Sequence, residues 1–577
     1  MMQPSTMAPV APVAHTNGYE FTQGSGYALP KYPFVAPPEL QSEILVRHKV
    51  VVVGAGITGL TLACSLAQSG VTAVVLDEDN TVGVKGASSR GICYTQKSLE
   101  IFERLGIYQR IKAKGVEWRV GRTFAGHDEV FSFDLGQQSH FNLSEQPPFI
   151  NIQQFYIEGF LVERIQDLNR DKPRIDLRWQ SRVLGFTQND EVATLEVETP
   201  AGRYRIEAEH VIDATGSHTP FHAWCQASMD AKRGDDRWCI ADVRFKHTPP
   251  LERHTWIEAP FNENRAVWQH LMGDAVWRID YQMAPNTDPA YASREDVVRE
   301  RLQRQFGKDI ECDIVWVGPY AYKSQCLHHL RAGHVFFAGD TAKVVSPFGA
   351  RGGNTGIADA DNLAWKIAAV VKNQAPAQLL HSYNDERLEA AQVNVQVTQR
   401  TARFLRPADG TERLFRNAAI ALAKRHAFAR PLINTGRMAV ANRYHRSRVC
   451  AQNGGISVQN VSLRGVSGED LCLNDLLRWA DGHLLLLLFG YLTPSDLKRV
   501  LQLTPHAPLR AVQVVSGADT AQAVEHVLDV DMQLRQACHA GQARWALLRP
   551  DAYLAATGTA LDGRWIQAVA KALAMAD

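Results

Sequence analysis

The stretch Val50–Asp77, VVVVGAGITGLTLACSLAQSGVTAVVLD, constrains this chain more than any other. Its opening run Val50–Val53 is short, branched and apolar, as a strand buried on both faces requires. Gly54, Gly56 and Gly59 follow in the spacing G-x-G-x-x-G. Leu60, Leu62, Ala63, Leu66 and Ala67 then recur at helical spacing until Gly70, a natural C-terminal cap. A second branched run, Val71–Leu76, ends on Asp77. The order is strand, tight turn, helix, strand, acid. Gly54 permits the turn, Gly56 leaves room for a pyrophosphate, and Gly59 lets the helix lie close to the strand. The first turn of the helix, including Ile57 and Thr58, offers N–H groups and a partial positive charge to phosphates. Asp77 stands where a carboxylate accepts from a ribose hydroxyl. A lone glycine motif is weak evidence, but this full context points to dinucleotide binding.

With 577 residues, two to four domains are expected. Lys+Arg is 62 and Asp+Glu 61, so bulk charge gives no case for nucleic acid or an acidic membrane surface. The longest aliphatic run, Leu484–Leu488, is far too short to cross a membrane. Nine cysteines without a C-x-x-C disfavour a disulfide framework, a zinc site or a dithiol centre, so no metal is expected. No charged stretch followed by an apolar core opens the chain, and a cytoplasmic location is expected.

Residues 1–45 are rich in Pro, Ala, Gly, Ser and Thr and read as a mobile N-terminal arm. Their aromatics, among them Tyr27, Tyr32 and Phe34, also allow an arm lying on its own subunit or a neighbour. Beyond Asp77, Arg90 is either a solvated loop cation or a guanidinium beside a pyrophosphate. Lys97–Leu105 reads as a helix closed by Gly106, and Gly159–Leu168 as another. Leu177–Val183, Ala193–Thr199 and Arg203–Ala208 read as a meander returning to the strand and glycine turn at 210–216. Residues 236–283 are strand-like and aromatic, with Trp238, Trp256, Trp268 and Trp277. They form either an ordinary core sheet or the roof of a pocket for a flat apolar ligand; periodicity does not separate the two.

A second glycine corner lies in Val335–Lys366, VFFAGDTAKVVSPFGARGGNTGIADADNLAWK. A buried strand meets Gly339-Asp340, a loop carries Pro347, Gly349, Gly352, Gly353 and Asn354, and a helix starts near Thr355. Asp340 is placed to bond a ribitol or ribose hydroxyl, and the loop offers N–H donors to an electron-rich group such as a flavin carbonyl. Residues 380–450 read as helical. Beyond a boundary near Asn453–Gly455, Leu484–Phe489, Leu509–Val515, Trp545–Leu548 and Tyr553–Ala555 read as strands and Arg564–Ala574 as a final helix of an independent α/β unit.

These residues resemble the FAD-dependent aromatic hydroxylases of the p-hydroxybenzoate hydroxylase type. Among them the chain is most similar to larger members such as 3-(3-hydroxyphenyl)propionate, 2-hydroxybiphenyl and phenol hydroxylases. The resemblance rests on Gly54–Gly59, the SSRG around Arg90, Gln154 with Glu158, and above all GDTAKVVSPFGARGGNTGIADADNLAWK. It covers roughly residues 47–400; past 455, Arg549-Pro550-Asp551 with Tyr553 resembles a thioredoxin-like C-terminal domain. It implies an α/β fold with a Rossmann-like FAD-binding domain over 46–400, interleaved with a mixed-sheet substrate domain at roughly 115–150 and 225–330. A helical connector at 401–454 and the thioredoxin-like unit at 455–577 follow, the latter structural or dimer-forming. By this resemblance Gly54, Gly56, Ile57, Thr58, Gly59 and Asp77 hold the ADP part of FAD. Arg90 and Gln154 meet its middle and flavin side, Gly339 and Asp340 its ribitol, and Gly352, Gly353 and Asn354 the ring edge. Pro347 lies on the face where oxygen reacts.

The implied activity is hydroxylation of a phenolic or related aromatic substrate with NAD(P)H as co-substrate and O2, through a flavin C4a-hydroperoxide, by a homodimer. The protein's part is to exclude water and hold the ring in reach. The sequence does not name a catalytic base; His140, His254, Asp280, Tyr281 and Tyr320 fall in or near the substrate region. One departure bears on pyridine-nucleotide docking: where the family carries Asp-Gly and then Arg, this chain has Asp213-Ala214-Thr215-Gly216-Ser217-His218. Alternatives on the same scaffold are a flavin reductase, a halogenase or a flavin-binding protein without turnover. A halogenase would carry Trp-x-Trp-x-Ile-Pro, which this sequence lacks.

Overall fold

The computed structural model describes residues 27, 29–41, 44–83, 89, 91–247, 249–407, 409–435, 438–465, 467–490, 492–493, 495, 508–515, 526–561 and 564–575. The Val50–Asp77 unit forms β1 (Val46–Val53), α1 (Ile57–Gln68) and β2 (Ala73–Leu76). The helix α2 (Gln154–Asp171) and the strand β3 (Gly202–Asp213) follow. β1 lies between β2 and β3, parallel to both, and Val335–Phe337 extends the parallel set beyond β3. Val50–Val53 are at most 4 % exposed, as a strand covered on both faces should be.

Three boundaries differ from the sequence reading. α2 starts at Gln154, not Gly159, because Phe155, Ile157 and Leu161 already belong to its buried stripe. Leu177–Val183 is not one strand. Ile175–Arg178 and Arg182–Gln188 are separated by a turn with Gln180 at φ +54°, where the Ser181 N–H bonds the Asp77 carbonyl. The helix after the second glycine loop starts at Gly352, so Gly352, Gly353 and Asn354 are its first turn.

The second sheet also has eight strands. Its central five are β4 (Met229–Phe245), β5 (Arg253–Ala259), β6 (Arg265–Leu271), β7 (Val276–Gln282) and β8 (Cys312–Leu327), in the order β8-β4-β7-β6-β5. Val120–Ala125 then pairs with β5. One face is apolar: Cys239, Ala241, Val243, Trp277, Ile279 and Tyr281 pack with Val298 and Leu302 of α3 (Glu295–Phe306). The other carries Trp238 and Asp242 of β4, Arg278 and Asp280 of β7, and Trp268 and His270 of β6. The register sets these opposite one another, Asp242 to Arg278 and Trp268 to Asp280.

α4 (Gly352–Val371) packs on α1 and is followed by α5 (His381–Leu405). Past Gly410–Arg425 and the short turn Ala427–Leu432, which contains Pro431, residues 438–450 run without helix, unlike the helical reading. The C-terminal mixed sheet is centred on β9 (Leu484–Phe489). Leu485, Leu487 and Phe489 face one core; Leu484, Leu486 and Leu488 face another that includes Trp365 and Ala369 of α4. Burial on both faces explains the absence of alternation in that run. No described helix is long and apolar enough to cross a membrane.

Candidate functional site

The first glycine corner is built by backbone contacts that exclude a side chain. Gly54 has φ +104°, and its N–H bonds the Leu76 carbonyl at 2.7 Å. A Cβ on Gly59 would lie 1.9 Å from the Gly54 carbonyl oxygen, so strand and helix meet only because this position is glycine. A Cβ on Gly56 would meet nothing nearer than Glu158 Oε1 at 3.9 Å, so there is room beside the helix start, although the Ile57 N–H, expected to face a phosphate, is taken by that carboxylate.

Asp77 accepts from the Ala55 N–H at 2.6 Å and the Asp79 N–H at 2.8 Å. Burial pushes its carboxyl up to about 7 against those two bonds. Glu158 accepts from the Ile57 N–H at 3.0 Å and the Gly83 N–H at 2.7 Å. It also takes a bond from Gln154 Nε2 at 2.8 Å, while Gln154 Oε1 accepts from the Gly91 N–H at 3.2 Å. Glu158 therefore ties α1, α2 and the segment after β2 into one frame. Arg90 lies outside the described residues.

The two corners touch. Gly339 has φ +70°, and a Cβ there would lie 2.6 Å from Thr58 Oγ1; one on Gly356 would lie 2.3 Å from the same atom. The buried Thr58 is thus wedged between the second corner and α4, and Gly356 is needed as much as Gly339. The Gly339 N–H bonds Asp359 Oδ2 at 2.9 Å, and Lys343 and Arg387 bond the same buried carboxylate. Asp340, exposed at the end of its strand, projects from that braced turn. Cβ atoms on Gly352 and Gly353 would meet nothing within 4 Å, so the start of α4 is open, as a ring edge approaching its N–H groups requires. Asn354 differs: its side chain donates to the Cys93 and Ala350 carbonyls at 2.8 and 2.7 Å and accepts from the Thr95 N–H at 3.0 Å. Its amide braces the corner, so only its backbone is left for a ring. These cradles fit the FAD that the resemblance implies.

Pro347 is exposed, and the next residue, Phe348, is buried edge-on against Trp268 with ring centroids 4.9 Å apart. Trp268 stacks on Trp238 at 4.6 Å and 7°. The polar face of the second sheet therefore meets the Pro347 loop directly. On it Arg278 Nε donates to Asp280 at 2.9 Å, and Ser89 bridges Arg278 and Asp242 at 3.3 and 3.2 Å. Tyr27 donates to Asp242 at 3.0 Å, and burial pushes that carboxyl up to about 7 despite Arg278.

Of the five base candidates, Asp280 lies on this face, its carboxyl raised by burial but bonded to Arg278. Tyr281 is on the opposite face and bonds Gln305 at 2.8 Å. His254 is two positions from Glu252 and within 3.1 Å of it; His140 packs on Phe141, and its carbonyl accepts from Gln459. Tyr320 pairs with Trp238 but is 40 % exposed. Asp213 is wholly buried and accepts from the Thr215 N–H and the hydroxyls of Thr215 and Thr219 at 2.7–3.1 Å, so the altered turn is internally satisfied.

Gly356, Asp359, Asp242, Arg278, His270 and Arg253 are absent from the sequence reading's site. Asp359, Asn362 and Lys366 did leave a signal: polar residues at helical spacing along an otherwise apolar helix mark a buried network. That network reaches the C-terminal sheet. Glu386 of α5 accepts from Asn362 and Lys366, both at 2.7 Å, and pairs with Arg549, which also pairs with Asp551. Lys366, Glu386 and Arg549 have no exposed side-chain surface.

Residues 47–398 match the protein-family model described as FAD binding domain. The chain is 29 % identical over 351 residues to a flavin-dependent monooxygenase of Mycobacteroides abscessus, covering 59 % of this chain and 71 % of that protein. It is 24 % identical to a 3-(3-hydroxy-phenyl)propionate/3-hydroxycinnamic acid hydroxylase of Mycolicibacterium smegmatis, a match spanning 64 % of either chain. Among solved structures it is similar to the flavin-dependent monooxygenase PieE in complex with FAD and substrate. There the TM-score is 0.76 at 18 % identity, covering 92 % of this chain and all of that one.

Proposed function

The chain belongs to the FAD binding domain family, FAD is its cofactor, and from that premise we propose that it hydroxylates a phenolic or related aromatic compound with NAD(P)H and O2. The observation that carries this reading is the junction of Phe348 with Trp268. It sets Trp268, with Trp238 stacked behind it, beside the loop that leads into the open start of α4. Flat apolar substrates suit such a wall. The names of the two relatives, a monooxygenase and a hydroxyphenylpropionate hydroxylase, support the same class of chemistry.

When bound, FAD supplies the redox chemistry, taking reducing equivalents from NAD(P)H and passing them to oxygen. The chain's own residues bind and orient. Gly54, Gly56 and Gly59 with α1 take the pyrophosphate, and Asp77 the adenosine ribose. Asp340 takes the ribitol, and the backbone of Gly352, Gly353 and Asn354 the ring edge. Pro347 and Phe348 would line the ring's side of the loop that meets the sheet at Trp268. Trp268, backed by the fully buried Trp238, excludes water beside the reacting position, and a substrate ring held there gains effective concentration. A homodimer in the cytoplasm completes the reading, and light scattering with cell fractionation checks it.

The test is NAD(P)H oxidation by the purified yellow protein with and without a panel of phenols, run under 18O2. At least one phenol should accelerate oxidation and gain one labelled oxygen. No acceleration by any aromatic compound defeats the reading. Asp340→Ala should lower bound flavin; full retention defeats the ribitol assignment.

A further inference from the structure

Charge is balanced over the whole chain but not evenly spread. Residues 400–432 carry eight Lys or Arg against two Asp or Glu, in a chain whose overall charge is +1. This stretch ends α5 and contains α6 (Gly410–Arg425) and the turn Ala427–Leu432, which packs on α6. α6 has two unlike sides. Ala419, Ile420 and Ala423 are buried, in the same cluster as Trp268 and Phe348. The outer side carries Leu414 and Phe415, 71 % and 59 % exposed, with Leu422 exposed as well. Leu414, Ala418, Leu422 and Arg425 recur every three or four residues, so they share that side. The turn adds Phe428, 76 % exposed, and the exposed Leu432.

Large apolar side chains gathered at a surface mark a place that something covers. The cations among them say what. Arg416 pairs with Glu258 and Lys424 with Asp128, but Arg413, Arg425 and Arg430 are exposed and have no ion pair among the described residues. A second copy is a poor occupant: in a two-fold dimer this face would meet itself and set the arginines against one another. An acidic peptide answers the guanidinium groups but offers the leucines and phenylalanines little apolar cover. An anionic bilayer answers both, with headgroups for the arginines and acyl chains for Leu414, Phe415, Leu422 and Phe428.

We propose that the outer side of α6 and the turn after it form a docking surface for an anionic lipid membrane, which the protein lies along rather than crosses. The buried side of α6 shares its cluster with Trp268, so docking would set that wall one helix away from the lipid. A phenol that partitions into the bilayer would then have a short path to it. That path depends on the hydroxylase reading above; the docking does not.

The experiment sediments the FAD-loaded protein with vesicles of phosphatidylcholine, alone or mixed with phosphatidylglycerol. The mixed vesicles should bind it about 10-fold or more tighter, a preference that fades as salt rises. Arg425→Gln with Arg430→Gln should weaken binding to mixed vesicles by about 30-fold. Phe415→Ser with Phe428→Ser should weaken it at least as much. All four side chains are exposed, so FAD content and thermal midpoint should stay at wild-type values. If the phenylalanine pair destabilises the chain, the arginine pair and the two lipids decide. Failure to pellet with either vesicle, equal binding to both, or binding left intact by either double variant overturns the proposal. So does a wild-type dimer that the phenylalanine pair turns into monomer by light scattering, which would make this face an interface between copies. Retention on polyglutamate by a protein that ignores both vesicles points to an acidic protein partner and overturns it as well.

Discussion

The two eight-stranded sheets of the N-terminal region are built in opposite ways. The first sheet is buried on both faces where Val50–Val53 and Ala73–Leu76 run side by side, and its glycine corners stand at strand ends, in backbone that only glycine permits. The second is apolar on one face and carries Asp242, Asp280, Arg278, Arg253 and His270 on the other. Its charged groups are side chains projecting from the middle of strands. Selection at the first sheet acts on what is missing from a residue; at the second it acts on what a residue brings.

Mutations at the two sheets should therefore fail differently. The largest effect is expected from Gly59→Ala. Its Cβ would meet a backbone oxygen at 1.9 Å, and backbone cannot swing aside. A loss of more than about 4 kcal/mol is expected, seen as colourless protein without a cooperative thermal transition. A yellow, folded Gly59→Ala protein would break the comparison. Next comes Arg278→Met. It leaves Asp280 and Asp242 buried without their cation and should cost about 3–5 kcal/mol in urea unfolding, while the folded fraction keeps its FAD. Adding Asp280→Asn should recover part of that loss.

A smaller effect is one of pH. The carboxyl of Asp77 is raised from 3.8 to about 7, so in the apoprotein its contribution to stability is full below pH 3.8 and lost as pH rises through 7. FAD binding runs the other way, because ribose hydroxyls bond the ionised form. Affinity for FAD should fall by up to about 10-fold per unit as pH drops below 7 and flatten above it. Fluorescence titration of the apoprotein checks this, and Asp77→Asn should remove the slope. The smallest stability change belongs to Gly353→Ala. Its Cβ meets nothing, and alanine in a helix should add about 0.5–1 kcal/mol. FAD affinity should nonetheless drop, which would separate room kept for a ligand from room needed by the fold.

The same contrast explains what the sequence revealed. Glycine spacing is local, so both corners, the strand before each and the helix after each could be read from consecutive letters. That the corners meet at Thr58 could not, because Gly339 and Gly356 lie far along the chain from it. The polar face was harder still. Ser89, Asp242, Arg253, His270 and Arg278 come from different elements, and each alone looks like an ordinary polar residue. The aromatic periodicity of residues 236–283 left core and pocket wall undecided. The register places Trp277 and Trp268 on opposite faces, and each packs into a buried apolar cluster of its own.

The bond from Arg549 to Glu386 has a practical side. A truncation after the helical connector, tempting to anyone wanting a smaller catalyst, would delete the guanidinium and strand a carboxylate and Trp365 on a newly bared surface. Such a shortened protein should come out of cells sticky and short of pigment, even though every residue proposed to hold FAD would still be present.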